Sequence, residues 1–200
     1  MTGFCPLVGN GEAWSKIAYD LGIGGLTSLM FYILLVRLPD SQRRRRTKRS
    51  LAGHYKAFKE DLISTILGVG VVSYAADEVV RLMDQKAFRE YFEEPVSDGQ
   101  NRWHRFLNNI EAHHIRDILT TMEIFRDEIS YTLNTTYIPD DKPFEFLKRL
   151  SAAIYLQKDA TPEYEPVKQL SRFLWELLAG WNFVTGYRER DIVQEMIDAI

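Results

Sequence analysis

Apolar and polar positions alternate differently in the front and back of the chain. From Leu21 to Val36 (LGIGGLTSLMFYILLV) sixteen residues carry no charge, and extension back to Ile17 makes twenty, interrupted only by Asp20. As a helix rising 1.5 Å per residue, such a run reaches roughly 30 Å, the hydrocarbon thickness of a bilayer. Residues 17–36 therefore read as a transmembrane helix, with the buried core helix of a water-borne domain as the alternative. A second run, Leu62–Ala76 (LISTILGVGVVSYAA), has fifteen uncharged residues between Glu60–Asp61 and Asp77–Glu78. At about 22 Å it falls short of a comfortable span. It could cross beside the first helix, dip into the interface, or be buried in a domain core, and its pattern does not decide among these.

The remainder shows helical periodicity. No proline separates Pro39 from Pro95, so a long, weakly broken helix from about Leu51 to Phe92 is predicted, continuing as a stalk through Val79, Val80, Met83, Ala87 and Tyr91. It ends at EEPVSDGQN, where Pro95, Asp98 and Gly99 supply turn chemistry. Trp103, Phe106, Leu107, Ile110, Ile115, Ile118, Leu119, Met122, Phe125, Ile129 and Leu133 mostly recur at three or four residues. That spacing predicts a helix of about 30 residues, straight or kinked near Ala112. Shorter amphipathic helices follow over Phe144–Ile154, Val167–Trp181 and Ile192–Ile200, separated by loops rich in Pro, Asp and Thr. The expected fold is all-α. Residues 1–16 form a short N-terminal segment, 17–36 the membrane helix, and 37–60 a basic cytoplasmic linker. Residues 61–94 hold the second apolar segment and stalk, and 95–200 a helical bundle.

Charge sharpens this division. Up to Ala76 ten basic residues face five acidic ones, and from Asp77 onward fifteen face twenty-three, which together give the net −3 of the chain. The front is basic chiefly through QRRRRTKR, which places Arg43, Arg44, Arg45, Arg46, Lys48 and Arg49 just behind the first apolar run. A cleavable signal peptide carries its positive charge ahead of the apolar stretch, so this order predicts a retained segment with the basic cluster on the cytoplasmic side. Near an anionic leaflet each such residue contributes about 1 kcal/mol, enough to pin the loop to a membrane. Phosphates of nucleic acid are the other anion these residues could meet, but no aromatic residues are interleaved for base stacking, and direct nucleic-acid binding is not expected. Within the apolar runs, Gly22, Gly24, Gly25, Gly68 and Gly70 would permit close helix packing in lipid, including between copies of the chain. If both runs crossed, the acidic C-terminal part would lie outside; with one crossing it is cytoplasmic.

Chemistry-bearing motifs are sparse. Cys5 is the single cysteine, which excludes an intramolecular disulfide and a Cys-based zinc site, and its place beside Pro6 offers no framework for lowering a thiol pKa. Glu111-x-x-His114 has the spacing of a carboxylate-bridged di-iron ligand pair, but no second copy accompanies it. Its plainer reading puts His114 at the edge of a core stripe. No nucleophile elbow, phosphate-binding loop or His-Glu-x-x-His is present, so the chain reads as a non-enzyme without a cofactor. Phe173, Trp175 and Trp181 are candidate contacts for a protein partner, with packing inside the bundle as their competing role.

MFYILLV, LISTILGVGVV, the intervening QRRRRTKR and the chain length together resemble the two-helix membrane effectors that accompany reverse transcriptases in bacterial retron anti-phage systems. The resemblance covers about the first 80 residues and is one of architecture, without a sequence-specific motif. It implies a protein of the inner membrane, held inactive by a reverse transcriptase–nucleic acid complex until infection, then damaging the membrane. A passive anchor whose acidic bundle recruits a protein partner is the competing expectation, and a metal-dependent bundle using Glu111 and His114 is a third.

Overall fold

A computed structural model describes residues 10–70, 74–96, 99–182, 184 and 186–200, and for residues 10–13, 36, 39, 40 and 70 the backbone only. Cys5, Val71, Val72 and Asp98 lie outside the described residues. The chain divides into two units, Met1–Arg45 and Arg46–Ile200.

The first unit is helical and unpacked. Helix α1 spans Asn10–Tyr32, and Ile33–Arg37 continue as a π-helical turn in which the Leu38 N–H donates to the Ile33 carbonyl. Two residues further on, Pro39 has no N–H to offer the preceding turn, and a local change of hydrogen-bond pattern is the usual response of a helix to such a gap. Apolar side chains on this unit stand in the open: Trp14, Leu21, Leu26 and Leu35 are each about 70% exposed.

Helix α2 (Leu38–Gly70) extends into the second unit, which also holds α3 (Ala76–Leu82), α4 (Gln85–Glu93), α5 (Arg102–Asn109), α6 (Ala112–Thr135), α7 (Asp141–Tyr155), α8 (Tyr164–Leu178) and α9 (Ile192–Asp198). The all-α expectation is met; among the described residues the extended pairings are a two-residue antiparallel hairpin of β1 (Trp181–Asn182) with β2 (Gly186–Tyr187) and an isolated bridge between Pro95 and Asn101. Residues expected to form a basic linker are part of α2, because Leu51, Tyr55 and Phe58 recur at three and four residues and bury one stripe.

The second apolar run departs furthest from a membrane reading. Leu62, Ile63, Ile66 and Leu67 are fully buried in the same core as Phe125, Ile129, Leu174 and Ile197. The predicted stalk packs on the core through a different set of residues: Val79, Leu82, Phe88 and Phe92 are buried, Met83, Ala87 and Tyr91 are half-buried and Val80 is exposed. Asp84 interrupts it by accepting the Lys86 and Ala87 N–H groups as the cap of α4. An aromatic cluster knits these helices together, with Trp103 5.0 Å from Trp175, 5.6 Å from Phe92 and 5.1 Å from Phe106. A second stack joins Phe58 to Phe125 at 4.6 Å.

The long helix expected from Arg102 is two helices, split at Ile110 and Glu111, both of which have extended backbone. Glu111 caps α6 through a reciprocal pair with His114, so the chain restarts a helix there instead of continuing one.

Candidate functional site

Candidate features fall separately in the two units. In the first, α1 and the π-helical turn provide Trp14–Leu35, 22 residues with none of the apolar window buried. At 1.5 Å per residue this is about 33 Å. Among the described residues it is the one helix long and apolar enough to cross a membrane. Gly22, Gly24 and Gly25 have open space where a side chain would begin, and Gly68, in the second unit, has the same; Gly70 closes α2. Among the described residues, nothing beside Gly22, Gly24, Gly25 or Gly68 demands their small size.

The cationic block has mixed roles. Arg45, Arg46 and Arg49 are exposed, and Arg43 is exposed but engaged. Arg44 is half-buried and engaged as well. Lys48 is held by the end of α9, donating to the Asp198 carbonyl and lying 3.8 Å from its carboxylate. It fastens the terminal helix to α2 and is correspondingly less available to lipid.

The bundle contains a polar hub that sequence reasoning missed. Asp191 accepts the Tyr55 hydroxyl at 2.9 and 2.8 Å and the Lys59 ammonium at 2.9 Å. The same carboxylate caps α9 by accepting the Val193 and Gln194 N–H groups at 3.1 and 3.2 Å. Lys59 lies 4.8 Å from the Tyr55 ring centroid and reaches the Met83 carbonyl at 3.4 Å. Burial, with the neighbouring Asp191 carboxylate, holds the Tyr55 hydroxyl well above the ordinary tyrosine range, so it stays protonated and donates. One signal was readable: Asp immediately before Ile-Val marks a helix N-cap. Its partners 132 and 136 residues earlier were not.

Glu111 and His114 come together as a cap. The Glu111 N–H donates to His114 Nδ1 at 3.2 Å, and His113 Nδ1 lies 3.5 Å from the Glu111 carboxylate. Among the described residues no group of three metal-ligating side chains forms. The spacing that suggested ligands is explained by helix initiation. Burial, and next the adjacent His113, lower the His114 pKa below its ordinary value.

Of the three aromatic partner candidates, Trp175 packs against Trp103 and Phe88. Phe173 and Trp181 line a cavity of about 170 Å³ with Phe146, Leu150 and Val193. Gln85 closes that cavity beside Gly180, donating to the Leu177 carbonyl at 3.0 Å. A larger groove of about 550 Å³ runs between α6 and the end of α7. Set against known proteins, the chain matches no family model, no curated protein and no solved structure.

Proposed function

We propose that this chain is a single-pass membrane protein of the bacterial inner membrane, anchored by α1, with its helical bundle on the cytoplasmic side recruiting a protein partner. One contrast carries the reading: Trp14–Leu35 is a predominantly apolar helix of 22 residues whose apolar window has nothing covering it, whereas Leu62, Ile63, Ile66 and Leu67 are already covered by the bundle. A helix with bare apolar sides needs lipid or another protein around it, and its length suits a bilayer. With one crossing, Arg45, Arg46 and Arg49 face anionic headgroups on the cytoplasmic side and the bundle follows them there.

Carbonate-washed cell membranes test the anchor. The full chain should stay in the pellet, and a chain lacking residues 14–35 should move to the supernatant. Full-length protein in the supernatant overturns the reading. A phosphatase reporter, which works only outside the cytoplasm, should be silent when fused after Ser50.

A second reading, that copies associate in the membrane and make it leaky when a partner complex releases them, draws on Gly22, Gly24 and Gly25, whose bare faces permit close approach between helices. It is the activity implied by the resemblance to retron effectors. Induction of the chain alone should then collapse membrane potential, and Gly24→Leu should restore it. Unchanged potential with the protein in the membrane leaves the anchor reading standing alone.

A further inference from the structure

The groove between α6 and the end of α7 belongs to the second unit and plays no part in the membrane reading. Ala112, Arg116, Leu119, Glu123 and Arg126 line one side of it at steps of three and four residues along α6, and Tyr155, Lys158 and Pro162 line the other. Its volume of about 550 Å³ is that of a small-molecule pocket. Ile115, Met122 and Ile154 form an apolar floor continuous with the core.

Three cations stand against one anion at the rim. Glu123 and Asp127 neutralise Arg126, at 3.3 and 2.9 Å. Lys158 donates to the Tyr155 hydroxyl at 2.9 Å, lies 4.4 Å from that ring centroid and pairs with the Asp159 carboxylate at 4.0 Å, and the Arg126 guanidinium lies 5.7 Å from the same centroid. Arg116 has no ion pair among the described residues. Counting these paired anions leaves Arg116 as the unmatched rim cation, in a unit, residues 46–200, that holds 20 basic and 25 acidic side chains, a net −5. An unmatched guanidinium beside an apolar floor, in a negative domain, selects its ligands by charge.

We propose that this groove binds a small organic carboxylate with an apolar or aromatic body. The carboxylate meets Arg116 and Lys158 at the rim, and the body lies over Leu119 and the floor. Arg supplies paired donors that match a carboxylate, and the apolar floor excludes a purely inorganic anion as the preferred occupant.

Full-length protein in zwitterionic nanodiscs, titrated with phenylbutyrate and followed by ligand-observed NMR against empty nanodiscs, tests this. Saturable binding is expected, weakened about tenfold or more by Arg116→Glu and by replacing the probe with uncharged phenylbutanol. Leu119→Asp should abolish it. Far-UV dichroism of each variant checks folding, and Arg116→Gln serves as a milder substitution at the same exposed position. Equal affinity for the acid and the alcohol, no effect of either Arg116 variant in folded protein, or no saturable binding overturns the proposal. So does full displacement of phenylbutyrate by an equal concentration of inorganic phosphate, because the floor would then contribute nothing.

Discussion

Replacing Asp191 by Ala should cost the bundle more than any other single polar substitution. The carboxylate serves three partners at once, the Tyr55 hydroxyl, the Lys59 ammonium and the first turn of α9. Loss of the cap alone costs about 1 kcal/mol. Removing one member of a buried ion pair costs about 3–5 kcal/mol, since the other charge is left uncompensated. The Lys59 and Asp191 side chains retain 12% and 17% exposure, so the lower end of that range applies. The combined loss is then about 4 kcal/mol, which for a unit of this size lowers the melting midpoint by roughly 8–16 °C. Full-length protein in nanodiscs, melted while the near-ultraviolet dichroism of Trp103 and Trp175 is followed, reads this directly. Asp191→Asn retains an acceptor for the α9 cap but strands Lys59, and should lose about 2–3 kcal/mol. Adding Lys59→Met to Asp191→Asn should recover part of that loss, because no unpaired charge remains. A loss below about 1 kcal/mol for Asp191→Ala, or no recovery in the double variant, would refute the hub as described.

Three further outcomes are expected. Ile66→Ala should destabilise the bundle by about 2–5 kcal/mol, since Ile66 is fully buried, whereas Leu26→Ala on the exposed α1 should leave the bundle's urea midpoint unchanged. Gly180→Ala should cost about 2–4 kcal/mol in the same assay, because φ there is +67° and a Cβ would sit 2.4 Å from Gln85 Oε1. His114 accepts a hydrogen bond only when neutral, and its folded pKa is lowered, so the unfolded chain holds the proton more tightly. The stability it contributes is present above about pH 6.5 and lost as pH falls through the lowered folded value; His114→Gln should flatten the urea midpoint between pH 7 and 5.

Helical periodicity made most of the bundle readable. Ile115, Ile118, Met122, Phe125 and Ile129 form the buried stripe of α6 that their spacing predicts, and Leu170, Leu174, Leu177 and Leu178 do the same on α8. Uncharged length was the weaker signal. Leu62–Val69 is uncharged because the core surrounds most of it, with Ser64 and Thr65 half-buried, and lipid would select much the same composition. The two runs differ in what covers them: the first is bare and the second is packed in the bundle. The break at Asp84 was missed, and the one at Glu111 was anticipated only as a kink near Ala112: each side chain starts a new helix without help from proline or glycine. The Asp191 hub and the α6–α7 groove were invisible for another reason. Each joins residues far apart in sequence, and no periodicity encodes such a meeting.

The placement of the four tryptophans has a practical consequence. Trp14 stands alone on α1, while Trp103, Trp175 and Trp181 belong to the bundle. Emission from this protein therefore divides by location. With the three bundle tryptophans changed to phenylalanine in a variant that still folds, brominated acyl chains would quench the remaining fluorophore according to its depth. With Trp14 changed to phenylalanine instead, iodide in the surrounding buffer surveys the half-buried Trp175 and Trp181 of the bundle, so one spectroscopic property follows each half of the molecule without an attached dye.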